Sequence, residues 1–224
     1  MNTIKVSKET LFIFDIDGTL TNSTQAYLQA ITRAFKAMGI VDIDTDYDNY
    51  KHHTDSYALR YNFERNFSQG YNPALIEELE DRLIEEMQLQ NTVDEIKGAA
   101  PFIDLLRKKD IPFCFATGAL PSPSYLKLQQ AKIWYDKEIL ATSKTHETRE
   151  GFVSEAIVKA KSFYSIQDFK TVYSVGDGIW DFRTAKNLSL DFIGMGSRNM
   201  KWFQNEGQLS FENFQEMSKV LTLV

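Results

Sequence analysis

Asp15 and Asp17 stand two residues apart at the end of the apolar run Leu11-Phe12-Ile13-Phe14, with Gly18-Thr19-Leu20 following. Two carboxylates this close repel each other unless a cation or a shared proton neutralises them. The pair therefore asks for a metal, and one acid of such a pair can attack an electrophile while the other moves a proton. Two distant segments have the same character: Thr117-Gly118, and Gly176-Asp177-Gly178 with Asp181 four residues beyond Asp177. Together they supply four carboxylates, one hydroxyl and glycine-rich backbone. Hard oxygen donors of this kind suit magnesium, which keeps waters and takes a substrate phosphate into its sphere. The glycines let backbone N–H groups approach phosphate oxygens.

These residues need a scaffold that gathers them. A short apolar run closed by a glycine reads as a buried strand, with the acids at its C-terminal edge. Four more strands are expected, at 111–116, 138–141, 171–175 and 191–194. Helices separate them, at 101–109, 122–131, 154–164 (capped by Ser154) and 179–187. Strands alternating with helices mean crossover units and a parallel sheet, so the expected fold is α/β, Rossmann-like, with a five-stranded core sheet flanked by helices. Strand ends of such a sheet converge on one edge, which brings Asp15, Thr117 and Asp177 together. The tail aromatics Trp202, Phe203, Phe211 and Phe214 are expected to pack back on this body.

Residues from about 22 to 92 break the alternation. Tyr27, Ile31, Ala34, Phe35 and Met38 recur at helical spacing after a cap at Ser23 or Thr24. Asn72-Pro73 opens another helix, whose stripe is Leu75, Leu79, Leu83 and Met87. The glutamates around that stripe read as a solvated face. Residues 41–48 are too acidic for a strand and lack the glycine and terminal glutamate of an EF-hand loop. Between them Lys51-His52-His53-Thr54-Asp55-Ser56 is rich in functional side chains. It reads either as a helix start capped by Thr54 or Asp55, or as a segment facing a substrate.

With 224 residues, 43% hydrophobic and 25% charged, the chain is an ordinary globular protein in composition. Its net charge of -6 and lack of a basic cluster argue against a nucleic-acid partner. The single cysteine, Cys114, lies in an apolar run and reads as a buried thiol. No transmembrane stretch and no apolar leader are evident, so no membrane association and a cytoplasmic location are expected. Neither a dinucleotide-binding nor a P-loop glycine pattern follows the first strand.

Asp-Ile-Asp-Gly-Thr-Leu, Thr117-Gly118 and Gly-Asp-Gly-Ile-Trp-Asp resemble the first, second and fourth motifs of the haloacid dehalogenase-like superfamily, over the whole chain except residues 22–92. The resemblance implies a magnesium-dependent phosphatase. Asp15 would be the nucleophile, Asp17 the general acid/base, Thr117 the phosphate-binding hydroxyl, and Asp177 and Asp181 metal ligands beside Asp15 and Asp17. Gly18 and Gly118 would flank the phosphate. The third-motif cation is implied at Arg149, with Lys144 second and Lys159 further into the helix. Residues 22–92 resemble the helical cap of the phosphoglycolate-phosphatase-like branch, dividing the chain into a core (1–21 and 93–224) and a cap. His53 and Thr54 would then reach a small phosphorylated metabolite, with Asp55, Ser56, Lys51 and Arg60 nearby. A phosphosugar mutase of the same superfamily and a non-catalytic domain of this fold are the alternatives. A monomer or a homodimer is expected.

Overall fold

The structure, a computed structural model, describes residues 3–223. Met1 and Asn2, which begin the stretch read above as lacking an apolar leader, lie outside the described residues. Strand β1 (Ile4–Val6) pairs in parallel with the last strand, Leu221–Leu223, and ties the two ends of the chain together. Strand β2 (Thr10–Phe14) is buried along its whole length, as a central parallel strand covered on both faces must be. Helices α1 (Thr24–Ala37), α2 (Asp55–Asn66) and α3 (Leu75–Gln88) follow, then α4 (Ala99–Lys108) and β3 (Phe113–Ala116). After α5 (Pro121–Gln130) come the two-residue strand β4 (Leu140–Ala141), α6 (Arg149–Tyr164), β5 (Thr171–Gly176), α7 (Ile179–Asn187) and β6 (Asp191–Met195). The chain closes with α8 (Met200–Asn205), β7 (Leu209–Phe211), α9 (Phe214–Lys219) and β8 (Leu221–Leu223).

The main sheet is parallel with the order β4-β3-β2-β5-β6-β7. The chain moves outward from β2 to β4, then crosses back to β5 on the other side of β2. Strand order therefore reverses between β2 and β5, and the crevice outside their C-terminal ends is where such sheets bind ligands. The sheet has six strands, one more than expected. The extra one, β7, is a three-residue edge strand of half-buried residues, too short to stand out as a hydrophobic run.

Two large buried clusters fill the molecule. One packs Phe12, Phe14, Phe113 and Phe115 of the sheet with Phe102 of α4 and Phe152 of α6. Phe214 of the tail joins it, 6.0 Å from Phe14 and 5.2 Å from Phe102, ring to ring. The other holds Tyr27, Ile31 and Phe35 of α1, Leu59 of α2 and Leu79, Leu83 and Met87 of α3, and reaches Ala119 and Leu120 after β3. Trp202 and Phe203 pack on Phe182 and Phe192 in a third, smaller group. Cys114 is buried, and burial pushes its thiol far up. No helix among the described residues is long and apolar enough to cross a membrane.

The starts of α6 and α3, and the capping of α1, differ from expectation for reasons visible in side-chain bonding. Helix α6 begins at Arg149, because Thr148 takes the N-cap and its hydroxyl accepts from the Gly151 amide at 3.2 Å. Helix α3 begins at Leu75, because Asn72 spends its side chain on the turn before it, accepting from the Ala74 amide at 3.1 Å. Ser23 precedes α1 but makes no capping bond, since its hydroxyl is committed to Asp17.

Candidate active site

Asp15 follows β2 directly, and its amide donates to the Val175 carbonyl of β5 at 3.0 Å, continuing the ladder one residue past the strand. Thr117 follows β3, and Asp177 follows β5. Asp181 sits in the first turn of α7, where one carboxylate oxygen accepts from the Gly178 amide at 3.0 Å. Carboxylate oxygens of Asp15, Asp177 and Asp181 all lie within 4.8 Å of one another. Arg149, the first residue of α6, enters this group: its guanidinium is hydrogen-bonded to Asp181, lies 3.4 Å from Asp15 and donates to the His53 carbonyl at 3.3 Å.

Like charges crowded out of water disfavour ionisation. Burial, then the neighbouring Asp181, Asp177 and Asp17, push Asp15 well above the ordinary carboxylate range, against the pull of Arg149. Asp177 is pushed up to about 7, by burial first and Asp181 second. Asp181 is raised chiefly by burial. One arginine does not neutralise three clustered acids, so the group has the charge and the hard oxygen donors that fit a divalent cation.

Asp17, expected among the metal ligands, stands apart from that cluster, whose oxygens come from Asp15, Asp177 and Asp181. Its two oxygens are held by the Ser23 hydroxyl and the Lys127 ammonium, each at 2.5 Å. Gly18 turns the chain at φ +82°, and a Cβ there would lie 2.5 Å from the Asp177 carboxylate, so only glycine lets the loop after β2 close on the loop after β5. Gly118 is needed for another contact: a Cβ would meet the His53 carbonyl at 2.5 Å. Its own carbonyl accepts from the Asp55 amide at 2.8 Å, which seats the start of α2 on the loop after β3.

Asp15, Asp17, Thr117, Gly118, Arg149 and Asp177 line one cavity of about 370 Å³, and His53, Thr54 and Asp55 close it from the helical side. Thr54 is the N-cap of α2, accepting from the Tyr57 amide at 3.3 Å, and its hydroxyl donates to the Glu147 carbonyl at 2.8 Å. The His53 ring stacks on Trp180 at 4.5 Å and on Tyr47 at 6.4 Å. Lys144 lies elsewhere, 2.9 Å from Glu80 of α3 and outside the cavity lining. Arg60 forks onto Glu147 at 2.7 and 2.8 Å, Lys51 is exposed, and Ser56 is buried. Lys159 points to the Leu140 carbonyl.

Tyr27, Tyr47, Trp180 and Arg198 also line the cavity and were not foreseen. Nor was Lys127. Its signal was available: Ser124, Lys127, Leu128 and Ala131 recur at one-face helical spacing, so a lysine sits where an apolar residue belongs.

Asp55 gives this region a pH dependence. Tyr27 and the Leu120 amide, at 2.9 Å, both donate to the same carboxylate oxygen. Burial first, with Asp17 adding to it, raises the carboxyl from 3.8 to about 6 against the opposing effects of Tyr27, Lys127 and Leu120. A raised value in the folded state means stability that is present below the unfolded value and lost as pH climbs through the folded one. The single carbonyl oxygen of asparagine can accept both hydrogen bonds. Asp55→Asn is therefore expected to leave stability unchanged near pH 3.8 and raise it by up to about 3 kcal/mol above pH 7. Denaturant melts at the two pH values check this.

A parallel sheet thus carries an acidic cluster at its switch point, with an arginine set among the acids. Residues 12–195 match the haloacid dehalogenase-like hydrolase family, and the chain belongs to it. Solved structures share its fold at low identity. A hydrolase from Pseudomonas syringae is 20% identical with a TM-score of 0.67, over 95% of this chain and 100% of that one. CbbY from Rhodobacter sphaeroides in complex with phosphate is 16% identical with a TM-score of 0.70, over 92% and 95%. A mutant of CbbY in complex with xylulose-(1,5)bisphosphate is 15% identical, again at 0.70, over 95% and 99%. No curated protein sequence matches the chain.

Proposed function

We propose that this chain is a magnesium-dependent phosphatase that hydrolyses a small-molecule phosphomonoester through a phosphoaspartate on Asp15. One observation carries the reading: the Asp15 carboxylate, clustered with Asp177 and Asp181 and backed by Arg149, opens into a cavity of a size for a small ligand. Residues 22–92 act as the cap over a core of 1–21 and 93–224, and His53 and Thr54 face the substrate from it. The relatives solved with phosphate and with a sugar bisphosphate support the substrate class.

Asp15, Asp177 and Asp181 would hold the magnesium, which supplies positive charge to the transferring phosphoryl group. The chain's own groups do the rest. Asp15 attacks phosphorus while the ester P–O bond breaks, and the electron pair leaves on the ester oxygen. Asp17 gives that oxygen a proton. Water then attacks phosphorus, its proton passes to Asp17, and the bond to Asp15 breaks, restoring both carboxyls. Arg149 and the Thr117 hydroxyl hold phosphoryl oxygens. The Thr117 oxygen already accepts from the Ala119 amide at 3.2 Å, which leaves its proton to be donated. The rings of His53, Tyr47 and Trp180 exclude water from the far wall.

Phosphate release from p-nitrophenyl phosphate tests the reading. Turnover is expected with magnesium, loss of it on chelation, and recovery when magnesium is restored. Turnover indifferent to chelation, or none with any ester of a phosphomonoester panel, overturns it.

A further inference from the structure

Lys127 is completely buried, at 0% exposure, on a face of α5 that otherwise carries Ser124 and Leu128 and continues to Ala131 at the helix's C-cap. Its ammonium lies 2.5 Å from Asp17 Oδ2 and 3.6 Å from the centre of the Tyr27 ring. Burying an ammonium and a carboxylate costs several kcal/mol per ion in general, and an apolar residue of similar volume is often as stabilising as the pair it replaces. Core packing alone therefore does not account for a lysine at this position.

Its placement does. Asp17 lines the cavity and Lys127 does not, so Lys127 touches no substrate but touches a group that does. Ser23 holds the other oxygen of the same carboxylate. With both oxygens tied, Asp17 has one orientation, fixed before substrate arrives, and the aromatic face of Tyr27 helps keep the ammonium in place. Tyr27 is in turn hydrogen-bonded to Asp55, whose amide and carboxylate grip the loop after β3. The anchor thus runs from the proton-handling acid to the seat of α2.

We propose that Lys127 is a positioning residue for Asp17, setting its carboxyl for proton delivery to the leaving oxygen. The inference rests on the phosphatase reading. It predicts a defect that depends on how much the leaving group needs a proton. Nitrophenolate departs without one, whereas phenolate, the conjugate base of a weaker acid, gains from it.

The test compares kcat/KM for p-nitrophenyl phosphate and unsubstituted phenyl phosphate in the parent, Lys127→Met, Asp17→Asn and the double variant. Methionine keeps the straight chain and its contact with the Tyr27 ring. Lys127→Met is expected to lower kcat/KM for phenyl phosphate by about 10²-fold and that for p-nitrophenyl phosphate by no more than about 3-fold. In the Asp17→Asn background it should add less than about 2-fold, since the group it positions is gone. Lys127→Gln, which keeps an N–H donor without the charge, replaces the methionine variant if that one fails to fold. Equal losses on the two esters, no loss on phenyl phosphate, or full additivity with Asp17→Asn overturns the inference while leaving the phosphatase reading intact. A parent protein that turns over no ester of the phosphomonoester panel, these two included, overturns both.

Discussion

Replacing Asp15 by asparagine should abolish turnover and leave the protein folded. The side chain keeps its shape: the carbonyl oxygen can still accept from Arg149, and the new amide can face the Thr19 hydroxyl, now 3.3 Å from the second carboxylate oxygen. Under the proposed mechanism, what disappears is the nucleophile. Losing the attacking group of a covalent mechanism removes most of its rate enhancement, so kcat should fall by at least about 10⁴-fold. Stability should hold or rise, because the change takes one negative charge from a buried cluster in which Asp15 is already pushed well above its ordinary range. Single-turnover assays with p-nitrophenyl phosphate, paired with thermal melts, check both halves. A variant that folds and still turns over ester at a tenth of the parental rate would remove the nucleophile from Asp15.

Arg149→Ala should be the next most damaging change, and here activity and stability fall together. The guanidinium is the cation that the structure places against Asp15 and Asp181. Without it the acids lose their buried counter-ion, which in general costs about 3–5 kcal/mol. Under the proposed function the transferring phosphoryl group would lose a fixed positive partner, a loss of about 10²–10³-fold in kcat. Lysine cannot restore the forked geometry that reaches Asp15, Asp181 and the His53 carbonyl at once. Lys144→Ala is the matched control. Its half-exposed ammonium pairs with Glu80, so its loss should cost about 1 kcal/mol or less and change kcat by under about 3-fold. The reverse ranking would transfer the third-motif role to Lys144. Steady-state rates and urea melts of the two variants decide between them.

The sequence was most informative where a site residue directly follows a buried strand. Phe12 to Asp15 and Phe113 to Thr117 are each a short apolar run ending in a functional group, and the strand from Thr171 leads to Asp177 in the same way. A parallel sheet makes their meeting a matter of topology, and Asp15, Asp177 and Asp181 do come together. Arg149 needed more than its local pattern, since Thr148 turns it from a loop residue into the first residue of a helix. Lys127 depended on the identity of its partner, Asp17, 110 positions earlier in the chain, and no local periodicity encodes such a pairing. Ser23 shows the same limit. It has the composition of a cap, but a distant carboxylate claims its hydroxyl. Strand β7 escaped notice because three half-buried residues at a sheet edge carry almost no hydrophobic signature.

The four residues from Thr117 to Leu120 face two ways. Thr117 belongs to the cavity floor, while the Gly118 carbonyl and Leu120 amide receive Asp55 from the helical segment. Floor and roof are therefore not separable modules. A chimaera that borrowed helices α1 to α3 from a distant relative would have to borrow this tetrapeptide as well, and would alter the lining of the cavity in doing so.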